Sequence, residues 1–189
     1  MSDFPIHTVD SAPEGSRETL EQAKQTFGMV PNLLGVLANA PAAAQAYTQV
    51  AGILEESSFS PEELQTILLA VSVENECHYC VAAHSALAAQ AGLPEEAIED
   101  LRNGEPLEDD RLEALRRFAE ALVRERGWVG DDALQAFLDA GYSRQQVLET
   151  VTAAALKTLS NYVNHLAETP VDGPFERWTW SPEGERKSA

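Results

Sequence analysis

Both cysteines of the chain, Cys77 and Cys80, lie in the stretch ENECHYCVAAHSALA, with His84 four residues after the second. Two thiols at this spacing beside an imidazole have three chemical uses. They can be small core residues, as free cysteines often are. They can be zinc ligands together with His84 and a fourth group, for which His78 or His165 is available. They can be a redox pair. At about 100° per helical residue the three side chains fall within roughly 60° of one another, so they share one face. A helix break near Glu74–Glu76 places the cysteines in the first turn of a helix. Unpaired N–H groups and the positive dipole end favour a thiolate there. His84, one turn beyond Cys80, can accept its proton. Cys80 is therefore the better-placed nucleophile and Cys77 its resolving partner. Glu74 and Glu76 oppose ionisation if they point at the sulfurs.

The elements that position these groups read as helices. SPEE, from Ser60 to Glu63, has an N-cap serine, proline at the first helical position and glutamate at the third, a capping box. DRLE at Asp110–Glu113 and SRQQ at Ser143–Gln146 repeat the signature, and Gly92 with Pro94 separates two further helices. Apolar residues at Leu64, Ile67, Leu68 and Val71 share a helical face. So do Val147, Leu148, Val151, Ala154, Ala155, Leu159, Tyr162, Val163 and Leu166 in the last helix. The spacing predicts helices over 16–27, 41–57, 61–75, 78–91, 94–102, 110–126, 131–140 and 144–168. Strand-like alternation is nearly absent, so the predicted fold is all-α.

Residues 1–15 read as an N-terminal arm, 16–168 as one helical domain and 169–189 as an extended C-terminal tail. Extension would put Trp178 and Trp180 on one side, with Arg177 and Thr179 on the other. Those tryptophans must be buried, against the same domain or a neighbouring subunit. At 189 residues the chain is long enough for one substantial core. Its 31 acidic against 13 basic residues give a formal charge of −18, which repels phosphate backbones and anionic lipid. Nucleic acid and membrane are thus not expected partners. The N-terminus has neither the basic nor the apolar region of a secretory signal, so the expected compartment is the cytoplasm. A close thiol pair in that reducing setting points to redox chemistry or metal binding.

The segment SPEELQTILLAVSVENECHYCVAAHSALA resembles the core of the alkylhydroperoxidase D and carboxymuconolactone decarboxylase superfamily, in particular the branch of peroxidase-related proteins. FGMVPNLLGVLANAPAAAQAYTQV and NYVNHLAETPVDGPFERWTW are similar to that branch's N-terminal helices and C-terminal segment. The resemblance implies an all-helical, single-domain fold that forms homo-oligomers, with the thiol pair buried near a subunit interface. It implies that Cys80 attacks a peroxide, Cys77 resolves the sulfenic acid and His84 relays protons. Two positions depart from the family pattern. Gln65 stands where the family's peroxidase has a glutamate, twelve residues before the first cysteine, and Tyr79 where it has a histidine. Glutamine can orient water or an imidazole but cannot exchange a proton as a carboxylate does. Candidates for a rebuilt relay are Tyr79, Glu74 or Glu76, and His165 with Asn161 one turn before it. His78 points about 100° away on a helix, and His7 in the arm has no visible role.

The expected activity is reduction of an organic hydroperoxide at Cys80, helped by His84 and a water held by Gln65. A Cys77–Cys80 disulfide follows, and an external dithiol or protein reductant restores the pair. Ala83, Leu87 and Ala91 on the same face suit an alkyl substrate. No haem, flavin or metal cofactor is required. Two other readings remain: a protein thiol–disulfide oxidoreductase or redox sensor, and a non-catalytic oligomeric or metal-binding protein whose CxxC is vestigial. Decarboxylation has less support, because that branch does not rely on this thiol pair.

Overall fold

The computed structural model describes residues 4–182, and the arm and tail expectations for 1–3 and 183–189 lie outside them. The described residues form helices and no strand. In chain order these are α1 (Glu14–Phe27), α2 (Asn32–Leu37), α3 (Pro41–Glu55), α4 (Pro61–Glu74), α5 (His78–Ala91), α6 (Glu95–Asn103), α7 (Asp110–Arg124), α8 (Gly130–Asp139) and α9 (Arg144–Ala167). A 3-10 turn follows at Gly173–Trp178.

Both Ser-led capping boxes form. Ser60 Oγ accepts from the Glu63 N–H at 3.2 Å while Glu63 accepts from the Ser60 N–H at 2.9 Å, and Ser143 with Gln146 does the same. The α7 cap falls one residue earlier than the spacing predicts. Asp109 accepts from the N–H groups of Arg111 and Leu112, and Glu113 instead accepts from Leu107 N–H. Helix α2 is absent from the sequence expectation; at six residues it has too few turns to show a period.

Helix α4 lies at the centre, packed against α5, α7 and α9. Leu64, Ile67, Leu68 and Val71 are buried there, as their spacing predicts. This larger core continues to the stacked rings of Phe137 and Tyr142, 4.5 Å apart. A smaller core unites the arm, α1 and α2 with the start of α5, and it contains Cys77, Tyr79, Cys80 and Ala83. The arm docks by its backbone, His7 N–H donating to Gly35 O at 3.0 Å. A Cβ at Gly35 would lie 2.8 Å from His7 O, so only glycine permits this approach. His7, without a role in the sequence, bonds Asn39 Oδ1 at 3.2 Å.

Two expectations are corrected. The last helix turns most of its apolar stripe outward: Leu148, Val151, Ala155, Tyr162 and Leu166 are exposed. Its inward face is instead Ala153, Leu156, Lys157, Ser160, Asn161 and Asn164. Periodicity finds a face of one chemical kind but not what lies against it. The tail is not extended throughout, since the 3-10 turn lets both Trp178 and Trp180 insert into the larger core of the same chain. Arg102 fastens it, donating to the carbonyls of Trp178 and Thr179 at 3.0 and 3.2 Å, while Trp180 Nε1 donates back to Arg102 O at 3.1 Å.

Candidate active site

Cys77 is the N-cap of α5 and Cys80 its third residue, a consequence of the chain reversing at Asn75–Glu76, where Glu76 has φ 53°. The two thiols are buried and unlinked, and His84 is buried one turn on. Gln65 on α4 faces His84, its Oε1 accepting from Nδ1 at 2.9 Å. That bond leaves Nε2 as the acceptor nitrogen of the neutral ring, and it receives Lys157 Nζ at 2.9 Å from α9. Asn164, two turns further along α9, donates Nδ2–H to Cys80 Sγ at 3.2 Å.

These contacts set the charges. Burial pushes the Cys80 thiol up, but it is overcome. A hydrogen bond from Cys77, the Lys157 ammonium and the Asn164 amide together hold Cys80 well below the ordinary thiol range. Cys77 moves the opposite way, raised by donating that hydrogen bond and by burial. Burial and the adjacent ammonium keep His84 neutral, its pKa well below the usual value. Burial works against the Lys157 proton, but Cys80, Tyr47 and Cys77 together raise its pKa, so the ammonium is kept. The site is therefore a buried thiolate–ammonium pair, Cys80 and Lys157, braced by a neutral imidazole.

Cys80, His84 and Lys157 line one end of a cavity of about 340 Å³ whose other walls include Phe27, Leu33, Leu34, Leu87 and Phe175. An adjoining compartment of about 350 Å³ shares His84, Lys157 and Tyr47 and reaches Gln65. Ala83 and Leu87 face the first cavity as expected, but Ala91 is not among its walls.

The other sequence candidates scatter. Tyr79 lines the cavity, yet its hydroxyl donates to Asp172 Oδ2 at 2.5 Å. Burial and that carboxylate raise its pKa, so it stays a phenol. Glu74 turns away to a bidentate pair with Arg124, at 2.7 and 3.1 Å, and is no relay. Glu76 and His165 lie at a different cavity, on the Cys77 side. Asn161 accepts from Asn75 at 2.9 Å, tying α9 to the helix break. His78 donates from Nδ1 to Trp180 O at 3.0 Å, directing it to the tail rather than to a ligand set around the sulfurs. Lys157, Asn164 and Asp172 are the residues that sequence reasoning misses. The signal for Lys157 was available: a lone lysine amid TAAALKTL, on a helix rich in alanine.

The chain thus has an all-helical fold with a paired-thiol site. The carboxymuconolactone decarboxylase family model matches residues 41–121, which include both cysteines, Gln65 and His84. The fold is shared with the alkylhydroperoxidase AhpD core of a peroxidase-related protein from Ralstonia eutropha JMP134, at TM-score 0.81 and 20% identity over 92% of this chain and 94% of that one. A peroxidase-related protein from Silicibacter sp. TM1040 superimposes at TM-score 0.77, with 23% identity and 92% of each chain covered. The debrominase Bmp8, as a cysteine-to-alanine variant in complex with 2,3,4-tribromopyrrole, is similar at TM-score 0.77 and 15% identity, over 94% of this chain and 97% of that one. No match is found among curated protein sequences. The family-model match over residues 41–121 and the shared fold agree with the resemblance to the alkylhydroperoxidase D / carboxymuconolactone decarboxylase superfamily. Among the described residues, no helix is long and apolar enough to cross a membrane.

Proposed function

We infer that the protein is a thiol-dependent peroxidase acting on organic hydroperoxides. The observation that carries this reading is the placement of Cys80 in the wall of an apolar cavity, with Asn164 donating to its sulfur and Lys157 lining the same cavity. The thiolate attacks one peroxide oxygen. The O–O bond breaks, Cys80 becomes a sulfenic acid and the alkoxide takes a proton from Lys157. The Cys77 thiol then condenses with the sulfenic acid, releasing water and leaving a disulfide. Once the thiolate charge is gone, burial disfavours the ammonium, so Lys157 is a proton donor at this step and not before.

His84 and Gln65 are positioning residues in this scheme. Gln65 fixes the ring with Nδ1–H, and Nε2 orients the ammonium. An external dithiol restores the pair, supplying the two electrons that the peroxide removed and itself becoming a disulfide. The exposed stripe of Leu148, Val151, Tyr162 and Leu166 on α9 supports self-association of the chain.

Turnover of cumene hydroperoxide with dithiothreitol tests the reading. Wild type should consume the peroxide and Cys80→Ser should not. Equal rates would remove Cys80 from the mechanism, and turnover of 2,3,4-tribromopyrrole alone would redirect the reading to reductive debromination.

A further inference from the structure

The two cysteines line different cavities. Cys80 lines the apolar cavity described above, and Cys77 does not. Cys77 instead lines a second cavity, of about 440 Å³, together with His78, Asn164, His165, Glu168 and Thr169. Tyr79 is the one residue common to the walls of both. Most residues lining the second cavity are polar, whereas most lining the first are apolar. Two side-chain atoms of its wall residues, Asn164 Oδ1 and Thr169 Oγ1, are themselves buried and have no hydrogen-bond partner among the described residues. Their residues are 5% and 9% exposed, and burying such atoms unpaired is costly unless something else bonds them.

Disulfide chemistry assigns a direction to these openings. A thiolate attacking a disulfide expels the sulfur that is more stable as a thiolate. Lys157 and Asn164 stabilise Cys80 in that form, whereas Cys77 is driven toward the thiol. The entering reductant must therefore bond Cys77 and expel Cys80. We propose that the Cys77-side cavity is the entrance for the external dithiol, separate from the cavity that admits the peroxide. This rests on the dithiol cycle proposed above.

The reductant's first sulfur bonds Cys77 Sγ, the Cys77–Cys80 bond breaks, and its electron pair remains on Cys80 beside Lys157. The reductant's second sulfur then displaces Cys77 and closes the reductant's own disulfide. One of its two protons ends on Cys77 and the other restores the Lys157 ammonium. Separate entrances let peroxide and reductant bind without competing for one cavity.

The test blocks each entrance in turn. His165 and Gln90 are exposed wall residues of the Cys77 and Cys80 cavities respectively. His165→Trp should slow reduction of the preformed disulfide by dithiothreitol at least tenfold, with oxidation of the dithiol by cumene hydroperoxide within twofold of wild type. Gln90→Trp should show the reverse pattern. The disulfide is prepared with diamide, so the measurement stands even if peroxide fails to oxidise the pair. In the wild type, 2-mercaptoethanol followed by iodoacetamide should leave the mercaptoethanol adduct on Cys77 and the alkyl group on Cys80. An adduct on Cys80, or reduction slowed by Gln90→Trp and untouched by His165→Trp, would overturn the assignment.

Discussion

Lys157 Nζ lies 2.9 Å from His84 Nε2, on a helix that also sends Asn164 to the Cys80 sulfur. The imidazole therefore meets a cation on one side and the Gln65 amide oxygen on the other, a setting in which it stays neutral. A carboxylate at position 65 would favour an imidazolium; Gln65 does not, and the lysine holds the labile proton instead.

Removing the ammonium should release the thiolate from its stabilised state. Lys157→Met keeps the volume and deletes the charge. The Cys80 pKa should rise toward the ordinary value of about 8.5, and peroxide oxidation at pH 7 should fall by up to roughly 30-fold from the lost thiolate alone. Alkylation of the variant as a function of pH reads the shift directly. A Cys80 titration left unchanged would show that Lys157 does not set it.

The pH dependence has a definite sign. Because Cys80 lies well below the ordinary thiol range, the wild-type oxidation rate should be flat from neutral to mildly alkaline pH and fall only on acidification. The depressed pKa also means that the unfolded chain holds a proton there that the folded dithiol form has lost. That contribution to stability is full above about pH 8.5 and is lost as pH falls through the folded value. Urea unfolding of the reduced protein between pH 6 and 9, compared with Cys80→Ser, measures it.

Gln65→Glu restores a carboxylate beside Nδ1. The His84 pKa should rise by about 1–2 units, as an opposite charge within hydrogen-bond distance requires. Imidazole signals in nuclear magnetic resonance spectra would report the change. A histidine that still does not titrate would mean that the Lys157 charge dominates whatever stands at position 65.

Tyr79→Phe separates structure from chemistry. Its hydroxyl bonds Asp172, whose carboxylate also accepts the Asn32 N–H at 3.1 Å, so the tyrosine pins the tail to α2. Loss of a hydrogen bond to a charged group should cost about 1.5–3 kcal/mol of stability. Oxidation by peroxide should change little. A large loss of rate at unchanged stability would return Tyr79 to the proton relay.

The apolar stripe on α9 gives a test of self-association. Leu148→Glu with Leu166→Glu should shift the protein from an oligomer to its 20.6 kDa chain mass in light scattering. A wild type that already runs at that mass would show that the stripe has no such partner.

The sequence by itself determined the helical class, most helix starts and the shared face of Cys80 and His84, whereas Cys77, the N-cap of α5, lines another cavity. These are local properties: capping boxes, proline positions and an interval of 3.6 residues act within one element. Gln65 came from the family resemblance alone, and the short reversal joining α4 and α5 is what brings it to His84. Tertiary structure alone decided the charge of the site. Lys157 and Asn164 lie more than seventy residues after Cys80, and Asp172 further still. Whether a lysine on a helix faces water or a sulfur depends on which neighbours cover it. The same ambiguity turned the apolar stripe of α9 outward and left its polar face against the thiols, since a periodic pattern defines a face but the packing of other helices selects which face is buried.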